Sequence, residues 1–202
     1  MKYLVKTPWW LKKMYPHRLW SIATKEKIIY LTFDDGPHPV ATPFVLDQLK
    51  KYDAGATFFC IGKNVVDHPA IYKRILEENH RTGNHTQQHL NGWKTANNIY
   101  LDDVSEAAKH IVSDLFRPPY GRLKTSQARQ LANYKIVMWD VLSGDFDESL
   151  SKEKCLENVT SNASEGSIIV FHDSEKAFRL LEYVLPEVLR FFTEKGYVFK
   201  SL

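Results

Sequence analysis

Cysteine is nearly absent from this chain of 202 residues, with Cys60 and Cys155 as the whole supply. Two thiols so far apart exclude a disulfide framework and a CxxC metal knuckle, and both are read as reduced and structural. Glycine and proline are sparse too, nine of each. No Pro/Gly-rich linker, low-complexity tract or internal repeat divides the chain. No run approaches the roughly 20 apolar residues of a membrane-spanning helix. Lys12 and Lys13 interrupt what would otherwise be the apolar segment of a secretory signal. These absences lead to the expectation of a protein of the cytoplasm or of the cytoplasmic membrane surface.

A large excess of either charge is also missing, since the net charge is only +3. It is unevenly placed. Residues 1–27 hold seven basic side chains against Glu26 alone, a local charge of +6 that leaves −3 for the rest. The basic character thus belongs to an arm, residues 1–26, and no nucleic-acid partner is expected. The arm also carries Trp9, Trp10, Leu11, Tyr15 and Trp20. Its aromatics are read as covering one end of the domain while its lysines stay solvated; peripheral contact with an anionic membrane surface is the alternative. Nothing in the sequence sets the oligomeric state.

At 44% hydrophobic and 25% charged residues, the chain is long enough for one sizeable core and too short for two. Apolar and β-branched runs at 27–33, 56–61, 81–84, 115–118, 135–139, 167–171 and 197–201 predict strands. Amphipathic stretches at 40–52, 68–79, 101–114, 124–132, 151–163 and 176–194 predict helices between them. Strict alternation argues for an α/β fold with a parallel sheet. Six to seven strands rather than eight suggest a distorted (β/α) barrel in a single domain, residues 27–202. Asp34, His85, Arg117, the segment from Asp140 to Asp145, and His172 all fall near the C-terminal ends of strands, where such barrels keep their active sites.

Two strings carry the chemistry. Thr32-Phe33-Asp34-Asp35-Gly36-Pro37 ends an apolar strand on paired carboxylates, and Gly83-Asn84-His85-Thr86-Gln87-Gln88-His89 offers two imidazoles four residues apart. One carboxylate and two imidazoles make a facial metal site with open positions, and the second carboxylate is free to act as a base. That combination points to metal-assisted hydrolysis. Arg117-Pro118-Pro119-Tyr120-Gly121 is a rigid turn able to aim the Tyr120 N–H at an oxyanion while Arg117 reaches a carboxylate. Ser167-Ile168-Ile169-Val170-Phe171-His172-Asp173 ends a buried strand on a histidine which, with Asp145 in a neighbouring loop, has the parts of an oriented general acid. His17, His38, His68, His80 and His110 are read as structural, His38 least securely.

With these segments in this order, residues 27–202 closely resemble the polysaccharide deacetylase family (carbohydrate esterase family 4, the NodB-type domain). The resemblance implies a distorted (β/α) barrel and a divalent metal, usually zinc, with cobalt or nickel as alternatives. Carried over by position, Asp35, His85 and His89 are the metal triad and Asp34 is the catalytic base, held by Arg117. The Tyr120 N–H shares the oxyanion, His172 protonates the leaving amine, and Asp145 orients its ring. Val170 lines the acetyl-methyl pocket. Phe146 stands where the family usually has Trp, which removes an indole N–H and some stacking area from one groove wall. The implied partner is an N-acetylated carbohydrate, such as a chitooligosaccharide or peptidoglycan. A membrane-anchored glycolipid, a non-sugar amide, or a catalytically silent carbohydrate-binding role are the competing expectations.

Overall fold

Period-two alternation decides most of the architecture. In the computed structural model, which describes residues 3–202, strand β1 (Ile28–Asp34) sends Ile29, Leu31 and Phe33 into an apolar cluster shared with the helices. Tyr30, Thr32 and Asp34 therefore take the opposite face. Strands β2 (Ala56–Cys60) and β7 (Ile168–His172) flank β1 and split the same way: Ala56, Phe58, Cys60, Ile169 and Phe171 face the helices. Phe59, Ile168 and Tyr30 meet on the inner side. Val170, although buried, belongs to none of the three apolar clusters. Because both faces of these strands are covered, they read as unbroken apolar runs.

The sheet continues through β3 (Arg81–Asn84), β4 (Leu115–Phe116), β5 (Lys135–Ile136) and β6 (Val141–Leu142) in the spatial order β5-β4-β3-β2-β1-β7-β6. A short β8 (Val198–Phe199) joins the start of β1. All these pairings are parallel. Seven strands on one open path make the distorted barrel expected from the sequence. The helices α2 (Ala41–Lys51), α3 (Gly62–Asp67), α4 (Pro69–Glu77), α5 (Asn97–Ala107), α6 (Thr125–Gln130), α7 (Lys152–Thr160) and α8 (Glu175–Glu194) follow α1 (Trp9–Met14). The longest, α8, buries Leu180, Leu181, Val184, Leu185, Val188, Leu189 and Phe192 at three-to-four spacing.

Several boundaries depart from the sequence reading. The helix expected at 68–79 is α4, opened by Pro69, whereas the short α3 before it was not foreseen. The strand expected at 115–118 stops at Phe116, since Pro118 and Pro119 have no N–H to donate. The strand at 135–139 is cut to two residues, and β6 and α1 were not foreseen.

The arm is woven into the barrel. Thr7 N–H donates to Asp140 O and Leu142 N–H to Val5 O, both at 2.8 Å, so residues 5–7 run antiparallel along β6. Leu19 N–H donates to Ile136 O (2.9 Å) and Leu19 O accepts from Met138 N–H (2.7 Å) beside β5. Trp20 and Leu11 pack with Tyr100, Phe116 and Met138 as expected, whereas Trp9 and Trp10 stay exposed. The lysines are only partly solvated: Lys6 and Lys12 pair with Asp140 at 2.7 and 2.6 Å, because that buried carboxylate needs a cation. Cys60 and Cys155 are buried and unpaired. No helix among the described residues is long and apolar enough to cross a membrane.

Candidate active site

The inward face of β1 ends in Asp34, and its register partner on β7 is His172. Parallel pairing without slippage thus sets a carboxylate beside an imidazole at the C-terminal mouth of the barrel. Beyond β2, the residues that follow β3 and β4 are His85 and Arg117. Four residues around this mouth take left-handed backbone conformations without being glycine: Asp35 (φ 81°), Thr86 (φ 66°), His89 (φ 56°) and Tyr120 (φ 59°). Such conformations cost of order 1–3 kcal/mol each and persist where surrounding contacts over-determine them. Here the surroundings do so. Asn64 Nδ2 donates to Asp35 O at 2.7 Å, and Thr86 N–H donates to Asn84 Oδ1 at 2.8 Å.

Asp35, His85 and His89 each offer one ligand atom, and the three atoms lie within 4.8 Å of one another. The donor set fits a divalent cation. His85 Nδ1 donates to the carbonyl of Arg117 at 2.7 Å, which leaves its Nε2 lone pair facing Asp35 Oδ1 at 3.6 Å. His89 Nε2 lies 3.2 Å from the same oxygen. Asp35 Oδ1 is buried and has no hydrogen-bond partner among the described residues, the arrangement a cation would satisfy. Burial alone would raise the pKa of Asp35, but His85 and His89 outweigh it and hold this carboxyl well below the usual range.

Arg117 is fully buried and uses every edge of its guanidinium. Nη1 donates to Asp34 Oδ1 at 2.6 Å and to Thr32 Oγ1 at 2.8 Å. Nη2 and Nε donate to the carbonyls of Met138 (2.9 Å) and Val137 (3.3 Å), and the plane lies 4.1 Å from the Phe59 ring. Burial pulls its pKa down while Asp34 pushes it back up. Among the described residues only Oδ1 of Asp34 is engaged, so Oδ2 is free to accept.

Asp145 accepts twice from one residue, through Oδ2 from the His172 backbone N–H (2.7 Å) and through Oδ1 from His172 Nδ1 (2.8 Å). The imidazole is thereby oriented with Nε2 outward. Burial would lower the His172 pKa, but Asp145, joined by Asp35 and Asp34, more than offsets it and pushes the group up to about 9. Tyr120 sits in a 3-10 turn (Pro119–Gly121), its ring 4.6 Å from that of His89. Among the described residues no acceptor takes its N–H. Val170 is buried on β7, two residues before His172 and on the same face. Phe146 meets His172 edge-on, centroids 5.2 Å apart.

Every residue singled out at the strand ends comes to this mouth except Asp140, which faces the arm through Lys6, Lys12 and Ser167. His38 caps α2, its Nδ1 accepting from Ala41 N–H at 3.1 Å. Sequence reasoning passed over Asp173. Its Oδ1 accepts from Gly36 N–H (3.0 Å) and its Oδ2 from Thr42 Oγ1 (2.5 Å), which ties the Asp35-Gly36 turn to β7. Burial, with Asp35 adding to it, pushes Asp173 up to about 8. Its place directly after His172 was the available signal.

A family model described as polysaccharide deacetylase matches residues 21–139. The chain is 35% identical to a peptidoglycan-N-acetylglucosamine deacetylase of Bacillus cereus, over 91% of this chain and 90% of that protein. It is 31% identical to the peptidoglycan-N-acetylmuramic acid deacetylase PdaC of Bacillus subtilis, over 88% of this chain but 38% of that longer protein. A solved peptidoglycan N-acetylglucosamine deacetylase superposes with a TM-score of 0.88 at 30% identity, covering 97% of this chain and 95% of the other.

Proposed function

The chain belongs to the polysaccharide deacetylase family, and from that premise we propose that it hydrolyses the N-acetyl group of an amino sugar within a glycan of the peptidoglycan or chitooligosaccharide type. The observation that carries this reading is the register pairing of Asp34 with His172 at the strand ends that also carry the three-ligand cluster, which supports roles for them as base and acid. Asp35, His85 and His89 would hold a divalent cation, zinc by preference, which when bound would polarise a carbonyl as a Lewis acid and lower the pKa of a bound water to about 7.

Asp34 takes the proton of the attacking water on Oδ2, since Arg117 fixes Oδ1 and with it the direction of the free lone pair. The water oxygen bonds to the acetyl carbon. Negative charge then grows on the acetyl oxygen, where the unengaged Tyr120 N–H donates to it. As the C–N bond breaks, His172 delivers the Nε2 proton to the amine nitrogen, which cannot leave as an anion. Asp145 keeps that imidazole charged and aimed. Acetate and a free amino sugar result. Val170 offers the acetyl methyl an apolar wall on the face of β7 that carries His172.

Acetate release from N-acetylglucosamine oligomers and from peptidoglycan, with and without a chelator, tests the proposal. Release should stop on chelation and return on adding zinc or cobalt. Release that persists in metal-free protein would overturn it.

A further inference from the structure

Tyr3 reaches the active site from the opposite end of the chain. Its ring lies 5.2 Å from Phe146, tilted by 57°. Phe146 in turn stands 5.2 Å from the His172 ring at 76°. We propose that Tyr3 is a positioning residue for the hydrolysis, acting through Phe146 on His172, so that the arm is part of the active site. This rests on the reading of His172 as the acid.

The arm's path is fixed well before it arrives. Bonds between Val5 O and Leu142 N–H, and between Thr7 N–H and Asp140 O, lock residues 5–7 to β6. Lys6 and Lys12 add ion pairs to Asp140, which is 3% exposed and also accepts from Ser167 Oγ at 2.6 Å. With that register, Tyr3 falls beside Gly144. A Cβ at Gly144 would lie 2.6 Å from the Tyr3 hydroxyl, so the glycine is what lets the ring in. Burial, then Asp147, pushes the phenol up to about 12, so Tyr3 keeps its proton over the working range.

The contact matters because His172 is held on only some of its sides. The two bonds to Asp145 fix the imidazole at Nδ1 and at the backbone, but its side chain remains 16% exposed. Phe146 adds an edge-on contact to the ring beyond those two bonds. Phe146 itself lies on the loop after Asp145, only partly buried, and the aromatic contacts found for it are His172 and Tyr3. Without the Tyr3 ring, Phe146 has room to swing away and the imidazole has room to follow. Displacements on the order of 1 Å can cost ~100-fold in rate.

Full-length wild type, Tyr3→Ala, Tyr3→Phe and His172→Ala, each loaded with zinc, are compared for acetate release and for thermal midpoint. Tyr3→Ala should lower kcat about tenfold with KM unchanged, and Tyr3→Phe, which keeps the ring, should restore kcat. Wild-type kcat in Tyr3→Ala would overturn the proposal. So would a fall in kcat that Tyr3→Phe does not restore. Should Tyr3→Ala fail to fold, Tyr3→Leu keeps apolar bulk without a ring and should show the same loss; wild-type kcat in it would equally overturn the idea. His172→Ala separates the two layers. Wild-type turnover there sinks the acid itself and Tyr3's role with it, whereas an inactive His172→Ala beside an unaffected Tyr3→Ala sinks Tyr3 alone.

Discussion

Replacing Asp145 by Asn should move the alkaline edge of the pH–rate profile while leaving the shape of the barrel alone. In the wild type Asp145, with smaller help from Asp35 and Asp34, drives His172 up to about 9, against a burial effect that on its own would take it below its ordinary value of 6.5. Asparagine keeps the size and one acceptor oxygen but removes the charge, so burial acts against only the weaker pull of Asp35 and Asp34, and the group should titrate well below 9, with ~6.5 as the limit if those two contribute little. At that limit the difference, about 2.5 units, corresponds to about 3 kcal/mol of interaction with the imidazolium, and the fractions below are for the same limit. At pH 8 the protonated fraction falls from ~0.9 to ~0.03, about thirtyfold; near pH 6 it changes by less than about twofold. Acetate release followed from about pH 6 to pH 10 on metal-loaded protein measures this directly. An alkaline limb that stays near 9 in Asp145→Asn would refute the assignment of that limb to His172. Stability should change with the same sign. Since the folded-state value lies above the unfolded one, the stabilisation is complete below ~6.5 and is lost as pH rises through ~9, and the variant should lack this slope.

The two carboxylates should separate cleanly. His85→Ala should lose bound zinc by elemental analysis, whereas Asp34→Asn should keep it and lose ~10²–10⁴ in kcat. Arg117→Ala would leave Asp34 as a buried, unpaired charge and strip two backbone carbonyls and Thr32 of their donor. It should cost about 3–5 kcal/mol in urea denaturation, and a loss under ~1 kcal/mol would contradict the role given to this side chain.

The three-ligand cluster was legible because it is written locally. Asp34 and Asp35 adjoin one another, and His85 and His89 are four residues apart, so one short string announced each half of the metal cluster. The strand assignments placed those strings at one end of a barrel by alternation alone. What could not be read were pairings over long separations. Nothing near Asp140 indicates that it binds Lys6 and Lys12, and a basic arm looks the same in sequence whether its lysines are solvated or paired. Tyr3 carries no pattern at all. Its partner Phe146 did stand out, as a ring smaller than the family's usual indole, but the residue filling in behind it lies at the other end of the chain. The strand edges moved for a different reason. In β4 and β5 the pairing that ends each strand depends on prolines and on the arm, neither of which periodicity describes.

The two outer strands of the open sheet, β5 and β6, would each present unpaired backbone if residues 3–22 were not laid along them. Bare strand edges are templates for another chain. A fragment cut at residue 21, where the family model begins to match, would keep the metal cluster, Asp34 and His172 yet expose both edges at once. Its expected fate is edge-to-edge association and aggregation rather than simple loss of activity. The arm in this view is a guard against self-recognition, and the seam it closes sets the minimum length of a well-behaved domain.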